Sequence, residues 1–273
     1  MAELRTINGI PQMGFGTWKR KGDEGYRTVL AALEAGYRHI DTAQAYENES
    51  EVGRALKDSG LPASDIFVTT KVWIDNYDAG RFRPSVENSL EKLGRDKLDL
   101  LLLHWPARDA SIPFEDYIGR LAEMYDDGLT ERIGVSNFNR DLISKAEDLL
   151  GDRPISANQV ECHVFFQNRV IADFCEARGI ALTAYSPLAQ GKVAGDPVLS
   201  GIADVHGVSE AEIALAFLIA EGHVVIPTSS NAARIRSNLE AANITLETTE
   251  LADLRALDRG ERLINPSWAP EWD

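Results

Sequence analysis

The sequence predicts an α/β fold, a (β/α)8 TIM barrel, built as a single domain over residues 1–273. Strand and helix candidates alternate through about eight units in roughly 250 residues, which is the size of one such barrel. The run at residues 98–103 is apolar on both faces, as a buried parallel strand should be. Residues 14–19 lack the third glycine of a Gly-x-Gly-x-x-Gly turn, which argues against an open doubly wound sheet.

The chain opens with a predicted β-hairpin, because Asn8-Gly9 is a strong two-residue turn signal between residues 4–6 and 11–13. The barrel strands are expected at 13–16, 38–41, 66–71, 98–104, 132–136, 157–161, 181–185 and 224–227. Amphipathic or apolar helices are expected at 24–35, 49–58, 82–93, 114–126, 141–149, 169–177, 210–220 and 232–241. The irregular tail at 265–273 contains two prolines and two tryptophans, and we expect it to cover the active-site mouth of the barrel.

The composition restricts the partners of the chain. With 28 basic and 43 acidic residues the net charge is −15, so nucleic acid and anionic membrane surfaces would be repelled. Any phosphate that the protein binds must therefore meet local cations. The start of the chain shows no targeting pattern, and no apolar run reaches membrane-spanning length, which favours a cytoplasmic location. Cys162 and Cys175 lack the spacing of a metal site or a redox pair, so we expect reduced thiols and no metal.

Polar residues stand at the carboxyl end of almost every predicted strand. In a barrel of this kind those ends face one shared site, whereas the opposite ends mostly serve stability. Alone, Asp41 would be read as a turn cap, Lys71 as a surface side chain and His104 as a core histidine. Their coincidence at one level favours a catalytic site. The strand-end residues are Asp41, Lys71, His104, Ser136, Asn137, Gln159, Tyr185, Ser186, Thr228 and Ser229.

Tyr46 follows Asp41 by one turn and gives this site a proton donor. A phenol has a pKa of about 10, and a cation within about 4–6 Å can lower it, so we expect Lys71 to lower the pKa of Tyr46. Asp41 would hold the ammonium group, and His104 would donate to a substrate oxygen. Such a set suits the protonation of a carbonyl oxygen as hydride arrives.

Several segments resemble the signatures of the aldo-keto reductases, which are NADP-dependent barrel oxidoreductases. Residues 36–53 resemble the first signature and 98–106 the histidine-bearing strand, and three more matches follow in the family's order, at 133–138, 158–161 and 184–188. The resemblance implies that Tyr46 is the general acid and that Asp41, Lys71 and His104 complete a catalytic tetrad.

The resemblance also implies an NADPH site along the same mouth. Ser136, Asn137 and Gln159 would hold the carboxamide and Tyr185 would stack on the nicotinamide, while residues 186–191 would cover the pyrophosphate. The full set of implied cofactor contacts is Gly16, Thr17, Asp41, Ser136, Asn137, Gln159, Tyr185, Ser186, Pro187, Leu188, Gln190, Gly191, Thr228, Ser229, Ser230, Arg234 and Asn238.

The chain departs from the family pattern at two positions near the implied 2′-phosphate. Members usually carry lysine where Thr228 stands and glutamate where Ser237 stands. Residues 229–231 open the last predicted barrel helix, whose free N–H groups form an anion site, and Arg234 follows within the first turn or so. We therefore expect NADPH to be preferred and NADH to be used less well.

The end of the chain, residues 262–273, resembles the short-tailed bacterial branch that reduces 2,5-diketo-D-gluconate and small dicarbonyls such as methylglyoxal. The sequence thus predicts an NADPH-dependent carbonyl reductase, expected to be a monomer. The alternative is a regulatory or binding protein that senses the cofactor with the same barrel. Each tryptophan of the expected substrate pocket could instead be ordinary core packing. The pocket residues are Trp18, Tyr46, Trp73, His104, Trp105 and Trp268, the last as a lid.

Overall fold

The computed structural model describes residues 5–109 and 111–273 and begins with the predicted hairpin. Strand β1 (Thr6–Ile7) pairs antiparallel with β2 (Ile10–Pro11). Asn8 and Gly9 have φ values of 53° and 76°, as a type I′ turn requires. The hairpin prediction is confirmed, although Leu4 lies outside the described residues.

Eight parallel strands follow and confirm the predicted barrel. Each strand pairs with the next one along the chain, and Met13 closes the ring by bridging Val225. The closing contact is tight, because a Cβ atom added to Gly16 would lie 2.8 Å from the carbonyl oxygen of Ile226. The strands are β3 (Phe15–Gly16), β4 (His39–Asp41), β5 (Phe67–Val72), β6 (Leu100–Leu103), β7 (Ile133–Ser136), β8 (Ile155–Glu161), β9 (Ala181–Tyr185) and β10 (Val224–Val225).

Helices surround the barrel, and two of them were not predicted. The helices are α1 (Gly22–Ala35), α2 (Glu49–Asp58), α3 (Phe82–Leu93), α4 (Phe114–Asp126), α5 (Arg140–Leu150), α6 (Arg169–Glu176), α7 (Pro197–His206), α8 (Glu210–Ala220), α9 (Ala232–Glu240) and α10 (Thr248–Arg255). The two additions, α7 and α10, pack on each other, and α7 also packs on α8.

Both unpredicted helices begin with clear local signals. Asp196 caps α7 by accepting hydrogen bonds from the N–H groups of Val198 and Leu199, and a proline occupies the first position. Glu247 and Glu250 form a reciprocal capping box at the start of α10. The prediction from strand–helix alternation therefore missed α7 and α10, although the capping residues of both helices are visible in the sequence.

The interior of the barrel is filled at the end opposite the strand C-termini. Ile10 of the hairpin is fully buried in one cluster with barrel side chains that include Phe67, Leu100 and Leu102. The hairpin thus seals one mouth, and the polar strand ends lie at the other. Within the described residues, no helix is both long and apolar enough to span a bilayer.

Candidate active site

A buried ion pair lies at the centre of the polar mouth. Lys71, on β5, donates from Nζ to Asp41 Oδ1 at 2.6 Å and to the carbonyl oxygen of Thr42 at 2.8 Å. Gln159, on β8, donates to the other carboxylate oxygen of Asp41 at 2.7 Å. The side chains of Lys71 and Asp41 are 0 % and 1 % exposed. Such a pair is tolerated only when hydrogen bonds satisfy both charges, and this one meets that condition.

The Tyr46 hydroxyl adjoins the pair. Tyr46 is the last residue of a 3₁₀ turn (Gln44–Tyr46), and Lys71 Nζ lies 3.4 Å from its hydroxyl oxygen. Burial raises the pKa of Tyr46 well above 10, and Asp41 raises it further. The expected lowering by Lys71 is therefore wrong for this structure, because burial disfavours the phenolate more than the nearby ammonium group favours it. Tyr46 keeps its proton at neutral pH and can donate it.

His104 follows β6 and faces the same space. Its ring packs edge-on against Tyr46 at 5.6 Å and Trp73 at 5.1 Å between ring centroids. Burial, together with the nearby Lys71, lowers the pKa of His104 well below 6.5, so the imidazole is neutral at pH 7. A neutral imidazole can donate one N–H to an oxygen in the site. Its buried Nδ1 has no hydrogen-bond partner within residues 5–109 and 111–273.

A hydrogen-bond network joins the other strand ends to this cluster. The Ser136 hydroxyl donates to the carbonyl oxygen of Gln159 at 2.7 Å, and Asn137 Nδ2 donates to the carbonyl oxygen of His104 at 3.0 Å. The Tyr185 hydroxyl donates to Asn137 Oδ1 at 2.8 Å. Asn137 has a φ of 62°, a left-handed conformation that few non-glycine residues adopt. The network fixes the side chains that the sequence analysis assigned to the nicotinamide ring and its carboxamide.

A cavity of about 930 Å³ extends from this cluster to the start of α9. All but one of the predicted cofactor residues line it, since Ser230 is exposed at the surface instead. Trp18, Trp73 and Trp105 form an aromatic wall. Trp268 packs behind that wall, with its ring centroid 5.0 Å from Trp105 and 6.3 Å from Trp73.

Other residues of this cavity were missed by the sequence reasoning. Ser209 and Glu212 form the capping box of α8, so an S-x-x-E pattern marked this segment as a helix start but not as part of the site. The additional lining residues are Ala45, Val193, Ala194, Ser209, Glu210, Ala211, Glu212, Ile226, Pro227, Ser237 and Ile264.

Two arginines converge on adjacent hydroxyl groups at the far end of the cavity. Arg234 Nε lies 3.4 Å from Ser229 Oγ, and Arg20 Nε lies 3.3 Å from Thr228 Oγ1. Asn231 caps α9 by accepting from the N–H of Arg234 at 3.0 Å. Arg20 was not predicted, because it comes from the loop after β3 and no local pattern links it to Thr228. In a chain of net charge −15, this end can meet a phosphate.

The described residues contain no group of three or more His, Cys, Asp or Glu side chains arranged to hold a metal ion. Both cysteines are buried and unpaired by disulfides. Burial raises the pKa of the Cys175 thiol to about 12, so this thiol stays protonated at neutral pH.

Comparison with known proteins agrees with the fold. Residues 12–259 match the family model described as the Aldo/keto reductase family. The chain is 41% identical over 265 residues to the methylglyoxal reductase DkgB of Escherichia coli O157:H7, covering 97% of this chain and 99% of that protein. It is 36% identical over 299 residues to the glycerol 2-dehydrogenase (NADP(+)) of Saccharomyces cerevisiae, covering 98% of this chain and 94% of the yeast protein.

A solved structure gives the same picture. The crystal structure of a candidate 2,5-diketo-D-gluconic acid reductase B superposes with a TM-score of 0.94 at 42% identity, covering 98% of this chain and 96% of the other. The superposition therefore covers nearly the whole chain.

Proposed function

The chain belongs to the aldo/keto reductase family of oxidoreductases, and we propose that it is an NADPH-dependent carbonyl reductase. Its substrates would be aldehydes, α-dicarbonyls such as methylglyoxal, and keto-sugar acids such as 2,5-diketo-D-gluconate. The observation that carries the proposal is the buried pair of Lys71 and Asp41 beside the Tyr46 hydroxyl, at the floor of a cavity that also reaches Arg234. The names of the relatives support the substrate classes.

The residues of the cavity fit NADPH at both ends. Thr228, Ser229 and Arg234 would hold the 2′-phosphate beside the amino end of α9. Ser136, Asn137 and Gln159 would surround the carboxamide, and Tyr185 would stack on the nicotinamide. NADPH, when bound, supplies the hydride that reduces the carbonyl carbon. NADH lacks the phosphate and would be used less well.

Tyr46 would complete the reduction. As the carbonyl carbon gains hydride, the π-electron pair moves to oxygen, and Tyr46 gives its hydroxyl proton to that oxygen. The phenolate left behind is stabilised by the ammonium of Lys71, whose Nζ lies 3.4 Å away, and water returns the proton later. His104, neutral at pH 7, donates a hydrogen bond that orients the carbonyl toward Tyr46.

The three cavity-lining tryptophans would bind the carbon skeleton of the substrate. Trp18, Trp73 and Trp105 present apolar surface around the reacting group and reduce its contact with water. A small dicarbonyl would need little more than this wall.

The test is to mix the protein with NADPH and methylglyoxal and to follow the loss of nicotinamide absorbance. We expect turnover in the unmodified protein and very little in Tyr46→Phe. If NADPH binds but a panel of aldehydes and dicarbonyls gives no turnover, the chain uses the cofactor for sensing and the reductase proposal is wrong.

A further inference from the structure

Glu161 is a buried carboxylate that the reduction does not use. It ends β8, two residues after Gln159, so its side chain points to the same side of the strand as the Asp41 contact. Its side chain is 0 % exposed. Because an ionised carboxylate is costly to bury, its hydrogen bonds indicate what holds it there.

Both carboxylate oxygens of Glu161 accept hydrogen bonds from the backbone of the C-terminal tail. Oε1 accepts from the N–H of Leu263 at 2.7 Å, and Oε2 accepts from the N–H of Ile264 at 2.8 Å. His163 Nε2 lies 3.0 Å from Oε1 and fills a further position. Strand β8 is thus fastened to a segment about a hundred residues further along the chain.

The attached segment and the residues after it reach the cavity and the tryptophans that line it. Ile264 lines the cavity itself, and Trp268 packs behind Trp73 and Trp105. From Ala256 to Asp273 the tail forms neither helix nor strand, and its course depends on side-chain contacts together with a few backbone hydrogen bonds, such as those that Arg259 and Glu261 donate to Phe165. The tail therefore forms part of the pocket wall only where it is anchored.

The polar contacts that follow Ile264 are more exposed than the contacts of Glu161. The side chain of Arg140 is 50% exposed where it pairs with Asp273 at 2.8 Å, and Asn139 donates to the carbonyl oxygen of Glu271 at an exposed position. Exposed pairs contribute little because water screens them, whereas charge-assisted hydrogen bonds in a dry site are strong. Glu161 is accordingly a buried polar anchor where the tail enters the mouth, and it acts beside the packing of Trp268 and Trp272 on Trp105.

We propose that Glu161 is a positioning residue that fixes the C-terminal tail across the barrel mouth and so sets the part of the pocket wall that Ile264 forms and that Trp268 backs. This inference rests on the proposed carbonyl reductase function. Glu161 touches no reacting atom and acts through the backbone of residues 263–264. Losing the anchor should weaken substrate binding and leave the Lys71, Asp41 and Tyr46 geometry in place.

The direct test is Glu161→Gln, which keeps the size of the side chain but turns one acceptor oxygen into a donor. We expect KM for methylglyoxal to rise by about tenfold, with kcat and the Kd for NADPH within about twofold of the unmodified values. Limited proteolysis should cut the tail faster in the variant. The matched control is Glu49→Gln, a buried carboxylate that accepts from Thr70 and Ser89 away from the tail, where KM should stay unchanged.

A double-mutant cycle with Trp268→Ala separates positioning from general loss of structure. Trp268→Ala alone should raise KM, and adding Glu161→Gln should raise it by less than about twofold more, because both act on one wall. Independent, multiplying effects would overturn the inference, as would an unchanged KM in folded Glu161→Gln. A rise in KM that is accompanied by a lower kcat and a weaker affinity for NADPH would also overturn it, since that pattern indicates a general scaffold role.

A second variant, Leu263→Pro, and proteolysis of the tail test the same anchor in other ways. If Glu161→Gln does not fold, Leu263→Pro removes one of the same hydrogen bonds from the tail side and should raise KM in the same way. If the unmodified protein binds NADPH but reduces no carbonyl, the proposed function fails by itself. Tail proteolysis then still tests the anchor, and equal cleavage rates in Glu161→Gln and the unmodified protein would contradict it.

Discussion

The ammonium group of Lys71 lies 2.6 Å from a carboxylate oxygen of Asp41, and both side chains are closed off from water. Removing one member of such a pair leaves a buried charge without its partner, which typically costs about 3–5 kcal/mol. Burial, and after it the carboxylate of Asp41, raises the pKa of the adjacent Tyr46, so the ammonium group of Lys71 does not bring that pKa below its ordinary value.

Lys71→Met should therefore damage both stability and activity. We expect the free energy of unfolding to fall by about 3–5 kcal/mol and most turnover to be lost, because the Tyr46 phenolate loses its cation. Urea denaturation and NADPH-dependent turnover measure the two effects. The double variant Lys71→Met with Asp41→Asn should recover part of the stability and none of the activity. If Lys71→Met kept ordinary turnover, and if its kcat depended on pH in the alkaline range as in the unmodified protein, Lys71 would not act on Tyr46.

The pH dependence of turnover should lack a histidine step. Burial lowers the pKa of His104 well below 6.5, so the neutral imidazole that orients the substrate persists as the pH falls through 6.5. Activity that needs neutral His104 is therefore present at pH values above the lowered pKa of His104 and is lost only at pH values below it. A profile of kcat from pH 8 down through pH 6.5, measured in buffers of constant ionic strength, should show no step near pH 6.5 from this group. A loss of half the rate near pH 6.5 would contradict the assignment.

Stability should fall in acid because of His39. This imidazole is 1 % exposed, and burial lowers its pKa to about 4 from 6.5. The unfolded chain then binds the proton more readily between these values, so the free energy of unfolding drops as pH falls from 6.5 to 4. The full contribution is about 3 kcal/mol, from about 1.4 kcal/mol per pKa unit.

Urea titrations at pH 7, 5.5 and 4.5 measure this slope. His39→Asn should flatten it, while His223→Asn provides a comparison at a second buried imidazole, whose pKa burial also lowers to about 4. An unaltered slope in His39→Asn would mean that His39 is protonated in the folded protein.

The preference for NADPH should depend on two arginines. Arg234→Ala should remove the preference mainly by weakening NADPH binding, because a hydrogen bond to a charged group contributes about 1.5–3 kcal/mol. Arg20→Ala should narrow it less, since its guanidinium is also paired with Glu24 at 3.0 Å. Thr228→Lys should widen it. The measurement is kcat/KM for both cofactors, with the exposed Arg27→Ala as control.

Two outcomes would contradict this cofactor assignment. One is equal kcat/KM for NADPH and NADH in the unmodified protein. The other is an Arg234→Ala variant that still prefers NADPH.

The sequence predicted the barrel and its polar strand ends because both depend on local patterns. Lys71 lies near the end of β5 and His104 directly follows the apolar strand β6, and the barrel topology alone brings such strand ends together. The contact of Arg20 with Thr228 and that of Glu161 with the backbone at residues 263–264 join segments more than a hundred residues apart. No period or motif encodes those contacts, since they depend on how loops cross the mouth after the barrel has closed.

The raised pKa of Tyr46 shows a second limit of sequence reasoning. A list of residues contains the cation Lys71 but shows neither the burial that opposes ionisation of the phenol nor the nearby carboxylate of Asp41 that opposes it further. Charge and solvent exposure have to be known together before the direction of such a shift follows.

The central claim is that Tyr46 donates the proton that completes carbonyl reduction, and Tyr46→Phe tests it most directly. The measurement compares kcat with methylglyoxal and the Kd for NADPH in the variant and the unmodified protein. The account predicts that kcat falls by about 10²–10⁴ while the Kd for NADPH changes by less than about twofold, because the ring remains and only the hydroxyl is removed. A Tyr46→Phe variant that keeps ordinary turnover would contradict the account, and the proton would then have to come from His104 or water.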